Sequence, residues 1–266
     1  MTNMKKTAVA LVGVMSMVGL SQASQIITHH TFDSSTAADN GYLGPTVYNN
    51  LVSIDSTAKV GAGSMRLDGT ASRLTFNNSI APSLSESPQF TLMFWAYREV
   101  DTLVNENDRG FLYADQYDNN LRLTSLGGVD TLQIYAEGVN GLNTGVVSKS
   151  SLLNSIETWV HIGVQYDLTA STLDVFINGT QSGGSINISA FDDVTFNEFR
   201  IGTYGAVNSF VGLIDDFAVV KGNLTSQQWT DIASGQSVSS VIPEPATMGL
   251  FGGMAAVLLF LRRLSC

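Results

Sequence analysis

Paired carboxylates can hydrolyse a glycosidic bond, one protonating the leaving oxygen while the other attacks or activates water. The densest acidic stretch in this sequence is Glu99-Val100-Asp101, followed by Glu106 and Asp108. All four acids lie in the polar run from Arg98 to Arg109, which reads as a solvated loop. The histidines are His29, His30 and His161. On a strand, His29 and His30 take opposite faces and do not easily share one metal. His161 stands opposite Val160 and Ile162 and reads as a structural hydrogen-bonding residue rather than a base. No H-E-x-x-H, G-x-S-x-G, P-loop or Rossmann glycine pattern occurs. The lone cysteine, Cys266, ends the chain, so no intrachain disulfide can form and no neighbouring histidine activates it. Trp95, Trp159 and Trp229 are the side chains with the largest faces for stacking on a sugar ring.

The elements that position these groups are strands. Phe90 to Tyr97 is a run of aromatic and β-forming residues. Gly63 to Gly69 alternates apolar and polar up to an Asp-Gly turn before Arg73 to Phe76. Shorter strands are predicted at 110–114, 121–125, 132–137, 196–204 and 210–220. Thr158 to Asp167 and Thr172 to Asn178 form a hairpin, with Val160, Ile162, Val164 and Tyr166 facing one side beside Leu173, Val175 and Ile177. Asn178-Gly179 turns the chain again. Thr225 and Gln228 fit a capping box, opening one short helix with Trp229, Ile232 and Ala233 on a face and Gly235 as its stop. Many short strands and one late helix indicate an all-β, antiparallel two-sheet sandwich.

With 266 residues, 14% of them charged and 44% hydrophobic, the chain can bury a large core without disulfides. Its formal charge is -10. A surface this acidic repels nucleic acid and anionic lipid, and neither is expected as a partner.

The termini carry their own signals. Lys5-Lys6, an apolar run from Thr7 to Leu20 and a small-x-small end cleaved after Ala23 make residues 1–23 a signal peptide, the alternative being an uncleaved anchor. The folded domain is expected over 24–236 and a flexible linker over 237–242. The tail, 243–266, opens with Pro243-Glu244-Pro245 and continues as an apolar helix over 246–261 that ends at Arg262-Arg263. That helix reaches about 24 Å, short of a hydrocarbon core of about 30 Å. Both basic clusters stay cytoplasmic, which leaves the domain outside. Gly249 and Gly253 form a G-x-x-x-G, with dimerisation left open.

The order of motifs resembles a laminin-G-like jelly roll of the concanavalin A-like lectin/glucanase superfamily. The matching pieces are Gly63 to Gly69, Phe90 to Trp95, Trp159 to Asp167, Leu173 to Gly179, Arg200-Ile201-Gly202, Phe210 to Phe217 and the helix at Thr225 to Gly235. The resemblance spans about 26–236. It implies buried tryptophans, with sugar contacts from loop residues such as Tyr113, Tyr117 or Tyr204. It also implies a structural Ca²⁺ held by Asp33 and Asp216, against the alternative that Asp33 caps a turn and Asp215 and Asp216 bond to neighbouring loops. Superfamily glucanases carry E-x-D-x-E or E-x-D-x-x-E; after Glu99 and Asp101, Leu103 or Val104 occupies the third position.

The tail resembles the PEP-CTERM sorting signal of Gram-negative bacteria, which an exosortase recognises and cuts. The two resemblances, together with the incomplete carboxylate motif, imply an exported, non-catalytic protein crossing the inner membrane and held briefly by its tail. It would end at the outer surface or in the extracellular matrix, binding exopolysaccharide, other glycans or surface proteins. The alternatives are a polysaccharide-active enzyme with an atypical site and a purely structural adhesion module.

Overall fold

The computed structural model describes residues 24–35, 40–41, 48–50, 52–69, 72–77, 87–99, 109–114, 121–125, 131–137, 143–149, 157–189, 198–202 and 210–242. The signal peptide with Ala23, the sorting tail with Pro243, Glu244, Pro245, Arg262 and Arg263, and the span 246–261 lie outside them. Among the described residues no helix is long and apolar enough to cross a membrane.

In chain order the strands are β1 (Gln25–His30), β2 (Asn40–Gly41), β3 (Tyr48–Asn50), β4 (Ser53–Asp55), β5 (Ser64–Asp68), β6 (Arg73–Asn77), β7 (Gln89–Arg98), β8 (Arg109–Ala114) and β9 (Leu121–Ser125). They continue as β10 (Thr131–Glu137), β11 (Asn143–Lys149), β12 (Trp159–Asp167), β13 (Thr172–Ile177), β14 (Thr180–Gln181), β15 (Ile186–Asn187), β16 (Glu198–Ile201) and β17 (Val211–Lys221). A ten-stranded sheet runs β14-β13-β12-β7-β17-β1-β2, with β15 beside β13 and β5 and β4 beside β17. A seven-stranded sheet runs β11-β10-β9-β8-β16-β6-β3. Every described pair is antiparallel.

The sheets close on one apolar core. Phe90, Leu92, Phe94 and Ala96 of β7, the even residues Val160 to Tyr166 of β12, and Leu173, Val175 and Ile177 meet Leu74 and Ile201 of the seven-stranded sheet. The predicted hairpin is present in the predicted register, Ile162 opposite Ile177 and Tyr166 opposite Leu173. Asn178 and Gly179, both at positive φ (49° and 77°), make the two-residue turn into β14.

A second, smaller core lies on the outer face of the ten-stranded sheet, under helix α1 (Ser226–Ala233). The capping box is formed: the Gln228 N–H donates to Thr225 Oγ1 (3.2 Å) and the Thr225 N–H to Gln228 Oε1 (2.9 Å). Gly235, at φ 99°, follows the helix end.

Residues 237–242 depart from expectation. They are not a flexible linker but carry a one-turn helix, α2 (Val238–Val241), whose Val238 and the following Ile242 are buried with Trp229 and Ile232. The folded unit therefore runs to Ile242.

Candidate functional site

Alternation along β7 sends its even residues into the intersheet core and leaves Met93, Trp95 and Tyr97 on the outer face, beside Gly163, His161 and Trp159 of β12. Helix α1 covers the first of these rows. Trp229 lies on Gly163 and meets His161, ring centres 5.9 Å apart, while His161 meets Trp95 at 5.0 Å. The Lys59 ammonium sits 4.5 Å above the Trp95 ring.

His161 is fully buried, and its environment corrects the expected role. Neither ring nitrogen has a hydrogen-bond partner; the bond at this residue is from its backbone N–H to Asn178 Oδ1 (2.9 Å). Burial alone pulls the imidazole down to about 3, so it stays neutral. Trp95 and Trp229 are core, as predicted. Trp159 is not: it is half-buried, at the edge of the helix-covered ground, 5.2 Å from the half-buried Tyr97 ring.

Glu99, the nearest approach to a catalytic carboxylate, closes β7 and is not a free loop acid. Both its oxygens accept from Arg66, at 2.5 Å from Nη1 and 2.9 Å from Nη2. The same guanidinium donates to Asp55 Oδ2 from Nε and Nη2. The Thr57 amide and Arg66 hold Asp55 below the usual carboxylate range. Asp101, Glu106 and Asp108 lie outside the described residues.

One of the two acids proposed for calcium, Asp216, is positioned by a bulge. Asp216, at φ 47°, interrupts the register of β17 on β7 between Asp215 and Ala218, so two consecutive carboxylates face outward. Asp215 accepts from the amides of Lys59 (2.7 Å), Val60 (2.9 Å) and Asp216 (2.7 Å). Burial pushes it up to about 7 against those donors and despite them. Asp216 holds His29 Nε2 at 2.5 Å and accepts from the Val238 N–H at 3.3 Å. Asp33 accepts from the Ala62 and Gly63 amides. His30 turns instead to Thr28 Oγ1 (2.9 Å) and the Phe217 ring.

Asp33 and Asp216 do not fit one calcium. Each faces N–H donors or an imidazole, where a hard cation needs converging oxygens. Among the described residues no group of three or more His, Cys, Asp or Glu side chains is placed to hold a metal. The arrangement follows the alternative of carboxylates tying down loops: Asp33 and Asp215 between them hold the amides of Lys59, Val60, Ala62 and Gly63.

The seven-stranded sheet brings together residues that no local pattern links. Leu74 and Ile201 belong to the intersheet core, so Thr75 and Arg200 occupy the opposite face. Strand register carries that row across the sheet as Tyr48, Thr75, Arg200, Tyr113, Arg122 and Tyr135. Tyrosine and arginine alternate over β10, β9, β8 and β16. Tyr113, named as a loop contact although it falls within the strand predicted at 110–114, is a strand position of β8; Tyr117 and Tyr204 lie outside the described residues.

Comparison with solved structures finds the same fold. The receptor binding domain of botulinum neurotoxin C/D mosaic serotype is 14% identical at a TM-score of 0.67, covering 80% of this chain and 51% of that one. Domain 4 of AbnA, a GH43 extracellular arabinanase from Geobacillus stearothermophilus in complex with arabinotriose, is 21% identical at 0.63, covering 80% of this chain and all (100%) of that one. The botulinum neurotoxin serotype D ligand binding domain in complex with N-acetylneuraminic acid is 14% identical at 0.63, covering 80% and 51%. This chain spans about half the length of the neurotoxin domains it matches. No curated protein matches it. The model of one family matches residues 68–228, more than half of the chain, and these include β6 to β17 and the start of α1. The chain belongs to the concanavalin A-like lectin/glucanases superfamily.

Proposed function

We propose that this chain is an exported, non-catalytic carbohydrate-binding protein, and that the face of its seven-stranded sheet is the binding face. The observation that carries this reading is the alternation Tyr135, Arg122, Tyr113, Arg200 along one row of register. Tyrosine rings supply apolar faces for pyranose rings, and guanidinium groups supply fixed forks of donors for hydroxyls or a sugar carboxylate. Adjacent strands lie about 4.8 Å apart, so the row suits an extended saccharide lying across the strands. The arrangement of Glu99 supports a non-catalytic role, because both oxygens are held by Arg66 and neither is poised to protonate a leaving group. AbnA domain 4 in complex with arabinotriose, and a neurotoxin domain in complex with N-acetylneuraminic acid, lend the same fold to sugar binding.

The address is part of the proposal. Pro243-Glu244-Pro245, the apolar run behind it and Arg262-Arg263 motivate sorting by an exosortase in a Gram-negative bacterium, with delivery to the cell surface or exopolysaccharide. Cell fractionation with mass spectrometry of the mature C-terminus tests it: a mature chain that still ends at Cys266 and stays in the inner membrane rules it out.

For binding, the detergent-solubilised full chain is presented to arrays of neutral and acidic glycans, including the host's own exopolysaccharide. We expect retention that Tyr113→Ala and Arg200→Ala each reduce about tenfold or more. No retention of any glycan overturns the reading.

A further inference from the structure

Resting on the carbohydrate reading above, we propose a second glycan-binding platform on the opposite side of the sandwich, built from Tyr97 and Trp159 on the outer face of the ten-stranded sheet. The pair is a cross-strand pair of β7 and β12, with ring centres 5.2 Å apart and planes at 49°. It lies one row beyond Trp95 and His161, which are fully buried, and both of its rings are half-buried, keeping part of their surface in water. Partly exposed aromatic rings gain when a ligand takes the place of their remaining contact with water.

Polar groups lie farther along the same row. Register places Arg66, Leu213, Tyr97 and Trp159 in one row across β5, β17, β7 and β12. Glu99 is two residues beyond Tyr97, just past the end of β7. Arg66 locks Glu99 and Asp55 in place, yet the three side chains keep 35%, 28% and 21% exposure for Arg66, Glu99 and Asp55. The remaining acceptor capacity of the two carboxylates is pre-oriented by Arg66 and reachable, which lowers the ordering cost of binding hydroxyls.

The geometry also selects the ligand class. Two rings inclined at 49° cannot lie flat on a crystalline polysaccharide surface, and they suit a soluble chain that twists between successive sugars. Glu99, two residues after Tyr97, and Asp55 on the same guanidinium, in a chain of net charge -10, disfavour anionic sugars here. The ligand is a soluble, neutral, hydroxyl-rich oligosaccharide. With glycan on both sheet faces, one chain bridges two polysaccharide strands, a cross-link suited to a matrix.

The test is calorimetric titration of the detergent-solubilised full chain with arabinotriose, xylohexaose and cellohexaose. We expect about two sites per chain for at least one of them. Trp159→Ala and Tyr97→Ala each remove one site, or weaken it about tenfold or more, and Trp159→Tyr retains it. A single site that both alanine variants leave unchanged overturns the platform and leaves the first binding face standing. No binding of any glycan overturns both. Should Trp159→Ala not fold, acrylamide quenching of the wild type decides. Trp95 and Trp229 are buried, so Trp159 is the tryptophan open to quencher. Saturating oligosaccharide must shield it, and quenching that ligand leaves unchanged overturns the platform.

Discussion

Trp229 lies so close over Gly163 that a Cβ on that glycine would stand 2.3 Å from both Cη2 and Cζ3 of the indole. The same ring stacks on Phe176, centres 4.2 Å apart and planes at 11°. Helix α1 is thus seated by one indole in a slot that β12 leaves bare, and the slot exists because position 163 has no side chain. Gly163→Ala must displace the ring or the strand, and overpacking of this kind costs about 1–3 kcal/mol. Gly184→Ala, with nothing within 4 Å of the added carbon, is the control and stays near wild type. Urea denaturation of the two variants measures the difference. Equal midpoints would mean that the helix is not seated by this contact.

Ile242 marks the true end of the folded unit. It is 1% exposed and shares the second core with Val238, Trp229 and Ile26. Ile242→Ala should destabilise the chain by about 2–5 kcal/mol, as for other buried isoleucines, whereas Ser240→Ala on the exposed side of α2 should change little. Thermal denaturation reads both. The consequence for processing is concrete: a cut upstream of residue 237 would strip part of a core, while a cut at or beyond Pro243 would spare it.

The sequence is transparent where a structure is carried by neighbouring residues. Asn178-Gly179, the capping box of Thr225 with Gln228, and the alternation of Val160 to Tyr166 each carry their structure within a few residues, and each appears where expected. Ser237 to Ile242 was obscured because its serines and short length resemble a linker; the signal was the spacing of Val238 and Ile242, which puts both on one helical face. Strand β11 (Asn143–Lys149) was missed because its glycine and polar residues dilute the apolar pattern. The tyrosine–arginine row is different in kind. Arg200 lies 87 positions from Tyr113 in the chain, and only sheet order and register bring them together. His161 had the right face but the wrong chemistry, since its burial depends on a helix more than sixty residues later.

That burial gives His161 a defined effect on acid stability. Its folded pKa, about 3, lies below the ordinary imidazole value of 6.5. The unfolded chain therefore binds a proton between those values that the folded chain does not. Stability falls as pH drops from about 6.5 to about 3, by up to about 1.4 kcal/mol per pH unit, and levels off below. Asp215, pushed upward by burial, acts with the opposite sign, so the slope is read as a difference between proteins. His161→Phe keeps the aromatic packing and removes the titration. Its stability relative to wild type should rise steadily on acidification through that window. Parallel pH–stability curves for the two proteins would mean that His161 becomes protonated without disturbing the fold.

Asp216 ties three elements together: its own strand β17, β1 through His29, and α2 through the Val238 amide. Removing the carboxylate leaves a buried imidazole and an amide without their acceptor, and Asp216→Ala should cost about 2–4 kcal/mol. Asp216→Asn should cost less, because an amide oxygen still accepts and asparagine tolerates the positive φ of 47°. If the residue works as a hydrogen-bonding clamp, the order Asp, Asn, Ala in stability holds equally in calcium and in chelator. If it were a calcium ligand, the Asp–Ala gap would widen with calcium, and chelator-treated wild type would gain melting temperature on titration with the ion. Differential scanning calorimetry of the three proteins with and without calcium separates the two cases, and the N–H donors around both Asp33 and Asp216 lead us to expect the first.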